Sequence, residues 1–464
     1  MRRITWKGFL AFSVSLAVSF FLIHTQNLSS QSFTQSFTRA HDPGVRGGTP
    51  GAGGSLGGLT ANQQAFFDSG KADFAEVEEV DEGLGPRMNL DSCGGCHAQP
   101  AVGGSSPAVN PQVAFAKKGT DTLPSFIRLN GPVREARLVR NPDGTADGGV
   151  AALFTISGRD GADGCHLAQP DFATQVARHN VIFRIPTPVF GAGLIEQIED
   201  SAILANQTAS SSQKSQLGIH GRANVHVSGR TISGSPNRNG NDGTITRFGW
   251  KGQNVSLLVF SGEAYNVEMG ITSELFQNER EQSADCYFAN VPNSVQNLDA
   301  ADALTGTTSV QNFANFQRLL APPTPVSSFP GASSQSIGRG RSAFQSTGCA
   351  FCHTPTLHTT DTSTVAALRG QAVNLFSDLL THDMGVGLAD GISQGQAGPR
   401  DFRSAPLWGL GQRIFFLHDG RTSDLVQAIE AHQSDGSEAN AVINRFNFLR
   451  EDVKQDLLNF LRSL

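Results

Sequence analysis

The sequence predicts a mainly α-helical protein of two small helical units, the first of them enlarged by a β-rich insertion. Three observations carry this prediction. A Cys-x-x-Cys-His phrase occurs twice, helical periodicity flanks each occurrence, and short β-branched and aromatic runs fill the segment between them.

The phrases are "SCGGCHAQP" (92–100) and "GCAFCHTP" (348–355), and they use four of the six cysteines. A zinc site assembled from two Cys-x-x-Cys halves leaves both histidines unexplained and closes a very long loop. A pair of redox disulfides is weakened by the same histidines and by the lack of a βαβ pattern around either phrase. Two c-type haems account for every residue: the paired thiols add to the haem vinyl groups and the adjacent imidazole reaches the iron. Covalent attachment is therefore expected at Cys93, Cys96, Cys349 and Cys352, with iron ligands His97 and His353. The fold class that follows is mainly α and cytochrome c-like, with two c-type haem domains, the first carrying a β-rich insertion.

Along the chain, residues 1–31 open with the basic "MRRITWKG" and continue as an apolar run from Phe9 to Ile23. That pattern fits a signal peptide or an N-terminal anchor. The body is expected to be periplasmic or secreted, either free or tethered to the inner membrane through its N-terminus. Residues 32–58 read as a Gly/Ser-rich linker. The N-terminal haem domain spans 59–325. It begins with a helix over "TANQQAFFDSGKADFAEV", capped by Thr60, with Phe66, Gly70 and Phe74 on one face. Within it, about 110–290 forms the β-rich insertion, built from "VAALFTISG", "NVIFRIPTPVF", "NVHVSGRTISG", "TITRFGW" and "NVSLLVFSG". The Pro/Ser-rich "LAPPTPVSSFPGASS" (320–334) marks the boundary, and 336–464 is the C-terminal cytochrome c domain. Its closing helix, "EDVKQDLLNFLRSL", presents Val453, Leu457, Leu458 and Leu461 on one face.

Composition narrows the partners. The chain is 38% apolar and 16% charged with 51 glycines, which suits a loop-rich folded protein rather than a helical bundle or a disordered chain. A net charge of −6, with no basic run beyond the N-terminus, gives nucleic acid no foothold. Cys165 and Cys286 remain, and an oxidising compartment favours their pairing over two buried thiols.

Five phrases together resemble the bacterial dihaem cytochrome c peroxidase superfamily, and more closely its dihaem oxidoreductase branch, also called thiol oxidoreductase. They are "GLGPRMNLDSCGGCHAQPAVGGSS", "RIPTPVFGAGLIEQI", "NDGTITRFGWKGQNVSLLVFSGEAYNVEMGITSELF", "GRGRSAFQSTGCAFCHTP" and "RSAPLWGLGQRIFFLHDGRTSDLVQAIEAH". The resemblance covers nearly the whole chain after the linker. It implies a C-terminal haem acting as electron relay, with a second ligand at His432, where many relatives place Met. Helical phase agrees, since His432 continues the stripe of Leu425, Ala428 and Ile429. The N-terminal haem is implied to be the reactive one. No histidine closely follows the first phrase, so its sixth position is open, water-bound, or filled by His220 or Met88. Trp250 is implied to lie between the haems and Glu268 to be the catalytic acid–base, with Glu196 as second candidate. A calcium ion between the haems is implied at Asn89 and the carbonyls near Arg413 and Phe415.

The expected activity is that of a peroxidase-like dihaem oxidoreductase. It would reduce hydrogen peroxide or another small oxidant with electrons from a small donor protein, a cytochrome c or a cupredoxin. The alternatives are a dihaem electron-transfer cytochrome without that activity, and a dihaem oxidase of an organic or protein substrate.

Overall fold

A computed structural model describes residues 39–225 and 245–464. The expected signal peptide or anchor, the first part of the linker and most of the "NVHVSGRTISG" run lie outside the described residues.

Each Cys-x-x-Cys-His phrase follows a helix that is crossed by a second helix from far along the chain. In the first unit, Thr60 caps the helix Ala61–Ala75 in a capping box with Gln63. Its buried face is Phe67, Gly70 and Phe74. Phe67 joins the expected face, and Phe66 packs half-buried against the same core. This face packs on the helix Ser309–Leu319, where Phe74 meets Phe316 at 5.0 Å and Phe313 at 6.0 Å. In the second unit the helix Ser334–Thr347 packs on the closing helix Glu451–Ser463, and Phe344 meets Phe460 at 5.5 Å. A glycine sits at each crossing. A Cβ on Gly70 would run into the Asn312 carbonyl, and one on Gly340 into that of Asp456. Backbone thus touches backbone at both crossings.

The insertion holds less sheet than its composition suggests. One three-stranded antiparallel sheet forms from Ala146–Ala151, Glu135–Arg140 and Val181–Arg184, with Ala136 opposite both Ala151 and Phe183. The "NVSLLVFSG" run, expected as strand, instead opens a helix, Leu257–Met269. Ser256 caps it by accepting from the Val259 N–H, and Gly270 ends it at φ 78°. Its buried positions, Leu257, Ser261, Gly262, Tyr265 and Met269, recur at helical spacing, so packing of one face outweighs β-branched composition. Cys165 and Cys286 form the expected disulfide.

The Gly-rich stretch is not free over its described residues. Asp42 pairs with the fully buried Arg462 at 2.6 Å, the Arg46 N–H donates to the Gly411 carbonyl, and the Leu56 N–H donates to that of Leu319. It lies as a strap along both helix crossings. The two larger hydrophobic cores also interlock. Leu357, Leu375, Leu380 and Trp408, from beyond the expected boundary, pack into the first core, while Phe344, Phe376, Phe416 and Phe460 build the second.

Candidate functional site

The first phrase forms one short helical turn, Cys93–Cys96, in the wall of a cavity of about 160 Å³. The second lines a separate cavity of about 210 Å³. Because the two Cys pairs face different cavities, they do not make one zinc set. All four thiols are unbridged. Burial pushes Cys93 and Cys349 up to about 12, so these are apolar-pocket thiols rather than metal-ready thiolates.

Three imidazoles share one arrangement. The Nδ1 of His97 meets the Gly104 carbonyl at 3.0 Å, that of His353 the Phe376 carbonyl at 3.1 Å, and that of His432 the Ala428 carbonyl at 2.7 Å. A carbonyl carries no proton, so each Nδ1 must be the donor and each Nε2 is left as a bare lone pair. Burial lowers His97 to about 4, and burial together with nearby His432 lowers His353 to about 4, which keeps these rings neutral. A thiol pair beside a neutral, orientation-locked imidazole in an apolar cavity is a donor set that fits haem. His432 lines the same cavity as His353, as its helical phase predicts.

In the His97 cavity, His97 is the sole imidazole among the described lining residues. Neither expected remote ligand reaches it. His220 is exposed, with its N–H on Glu438, and Met88 is fully buried in the core. Met269, which the sequence reading passed over, does line this cavity, with its sulfur 3.8 Å from that of Cys93.

Glu268 stands at the C-terminal end of its helix and faces this cavity. The Asn89 amide donates to it at 2.6 Å. Burial, and then the neighbouring Glu135 carboxyl, push Glu268 well above the usual carboxylate range, against the lowering influence of Asn89 and Arg280. Glu196 is placed elsewhere. It lines neither cavity, is fully buried, accepts from Arg318 at 2.7 Å, and holds the Leu257 N–H at 2.9 Å. Its carboxylate anchors the start of the Leu257–Met269 helix, so the second candidate acid has a structural post.

Trp250 borders both cavities and a smaller one, of about 40 Å³, beside Trp408. Its Nε1–H donates to the Ile185 carbonyl at 2.9 Å, and its own carbonyl accepts from the Arg403 N–H. The calcium set does not fit. The Arg413 carbonyl accepts from Arg462 at 3.0 Å, and the Asn89 side chain is committed to Glu268 and the Leu153 N–H.

Sequence reasoning also missed His382 and His418, which line the larger cavity. His382 lies between Asp378 at 3.0 Å and Glu438 at 2.9 Å. His418 stacks on Phe402 at 4.3 Å and is lowered by burial to about 4. The phrases "THDMG" and "LHDGR" held the signal, as histidines set among apolar residues and turns.

Two Cys-x-x-Cys-His cavities bordered by one indole are a pair of sites that would fit two haem groups. The family described as "Di-haem oxidoreductase, putative peroxidase" matches residues 168–464, well over half of the sequence, and the chain belongs to it. The match takes in Trp250, Glu268, the second phrase and His432; the first phrase precedes it. No curated protein matches the chain. Among solved structures it is similar to a hydrazine synthase of Kuenenia stuttgartiensis, pressurized with 20 bar xenon, at 16% identity and a TM-score of 0.23. That likeness covers 35% of this chain and 56% of the other, too slight to bear on fold or function.

Proposed function

We propose that this dihaem oxidoreductase is an exported c-type enzyme of peroxidase kind, reactive at His97 and relaying electrons through His353 and His432. The observation that carries the reading is Trp250, one side chain bordering both cavities. Cys93 and Cys96 would hold one haem through thioether bonds, and Cys349 and Cys352 the other. Haem iron would supply one-electron chemistry at both centres, with His97 the imidazole available to hold it in the first cavity.

The remaining work falls to this chain's residues. Glu268, held in orientation by Asn89 and kept protonated by its burial, gives its proton to the departing oxygen of hydrogen peroxide or another small oxidant, which leaves as water, and takes up the proton of the oxygen that remains. Two electrons and two protons complete the reduction of peroxide to two waters. The electrons arrive singly from a small donor protein, a cytochrome c or a cupredoxin, and cross between the cavities by way of Trp250. His353 and His432, which line one cavity, would both hold the second haem, and a centre held by two imidazoles suits a relay. The Cys165–Cys286 disulfide and the basic-apolar N-terminus support a periplasmic or secreted location, with the N-terminus as cleaved leader or membrane tether.

A steady-state peroxide assay with each centre titrated separately tests the reading. Turnover with a high-spin signal from the His97 centre is expected. Two low-spin centres without turnover would make the chain an electron-transfer cytochrome instead.

A further inference from the structure

Several buried cations among the described residues are matched with carboxylates. Arg247 pairs with Asp200, Arg462 pairs with Asp42, and Arg184 and Lys251 share Asp390 at 2.9 and 3.1 Å. Arg46 and Lys214 lack a carboxylate partner but lie outside the cavities above, whereas Arg403 and Arg413 lack one and line two of them. The last two are 8% and 9% exposed, and among the described residues no carboxylate lies within ion-pair distance of either. Arg403 donates through Nε to the Gly249 carbonyl at 3.1 Å and through Nη1 to the Ser404 carbonyl at 3.0 Å. Its Nη2, and the whole guanidinium of Arg413, have no hydrogen-bond partner among the described residues. Burial, followed by Arg413, lowers Arg403 to about 10; burial, followed by Arg462, lowers Arg413 to about 10. Like charges thus crowd one another inside an apolar wall.

Both side chains line the His353/His432 cavity and also the small cavity beside Trp250 and Trp408. Burying two guanidinium groups with no carboxylate in contact is unfavourable, Asp378 acting on Arg403 only from a distance, and an anion in the space they face would offset that cost. A guanidinium fork matches the two oxygens of a carboxylate.

The geometry points to a carboxylate-binding site: Arg403 and Arg413 receive the two propionate side chains of the haem lying between His353 and His432. They thereby fix the haem edge that faces Trp250. This rests on the dihaem reading above. It adds that the relay centre carries its own neutralising charge, which opposes the fall in potential that bis-histidine ligation brings.

The test is spectroelectrochemical titration of the low-spin centre in the full chain carrying both haems, comparing parent, Arg413→Met and Arg413→Lys. Arg413→Met is expected to lower the midpoint potential and make it pH-dependent, because a released propionate then titrates; Arg413→Lys keeps most of the parental value. An unchanged midpoint and pH profile in Arg413→Met, with haem content retained, overturns the clamp and leaves the dihaem reading standing. A parent with no covalent haem at Cys349 and Cys352 overturns both. If added chloride or phosphate moves the parental midpoint but not that of Arg413→Met, the site holds a free anion and the propionate assignment falls. Where Arg413→Met does not retain haem, resonance Raman of Arg413→Lys decides. A shifted propionate bending mode supports the clamp, and an unshifted one overturns it.

Discussion

The Asn89 amide donates to the Glu268 carboxyl at 2.6 Å while its carbonyl oxygen accepts the Leu153 N–H, so one asparagine is held at both ends and aims one acid. Glu268→Gln keeps the side chain's size and its bond to Asn89 but removes the exchangeable proton. Peroxide turnover is expected to fall roughly 10²-fold or more, with haem content and both midpoint potentials at parental values. Parental turnover in this variant would remove Glu268 from the chemistry.

Glu196→Gln makes the contrast. It loosens the pairing with Arg318 and the hold on the Leu257 N–H, so stability is expected to drop by about 1–3 kcal/mol, read from a denaturant midpoint. Turnover per folded molecule stays at the parental level. A turnover loss matching that of Glu268→Gln would return Glu196 to the site.

His432→Met exchanges an imidazole for a thioether beside the second phrase. The midpoint potential of that centre is expected to rise, because Met ligation favours the reduced iron. An unchanged spectrum and potential would show that His432 is not a ligand.

Trp250→Phe removes the Nε1–H bond to the Ile185 carbonyl and the larger ring between the cavities. Electron transfer from the His353 centre to the His97 centre, followed by stopped flow, is expected to slow without loss of either haem. Parental kinetics would assign the crossing to another path.

Glu78 ties stability to pH. Burial first, with Glu76, Glu82 and Asp73 adding to it, pushes this carboxyl up to about 7, even though the Tyr265 hydroxyl donates to it at 2.6 Å. The folded state binds this proton more tightly than the unfolded chain. Its contribution is therefore complete below about 4.5 and is lost as pH rises toward about 7. Glu78→Gln is expected to flatten that part of the stability profile, measured by thermal unfolding across the window.

The two Cys-x-x-Cys-His phrases, the Thr60 cap, the closing helix and the inward turn of His432 were legible because each rests on local spacing. Leu257–Met269 was misread because a helix buried on a wide face carries the same β-branched and aromatic residues as a strand. The sequence also concealed which charges lack partners. Arg403 and Arg413 look like any arginines until the fold shows that Arg247 and Arg462 have carboxylates and they do not. Glu196 and Glu268 were indistinguishable for the same reason, since what each side chain faces is decided by segments far away in sequence.

The acceptors behind His97, His353 and His432 are all main-chain carbonyls. No side-chain substitution can delete a carbonyl, so the tautomer of each ring is written into the path of the backbone and is shielded from point mutation. An uncharged acceptor also withholds the electron density that a carboxylate would push through the ring. Variation in redox character within such a scaffold therefore has to come from the other residues that line the two cavities, Glu268, His432, Arg403 and Arg413 among them.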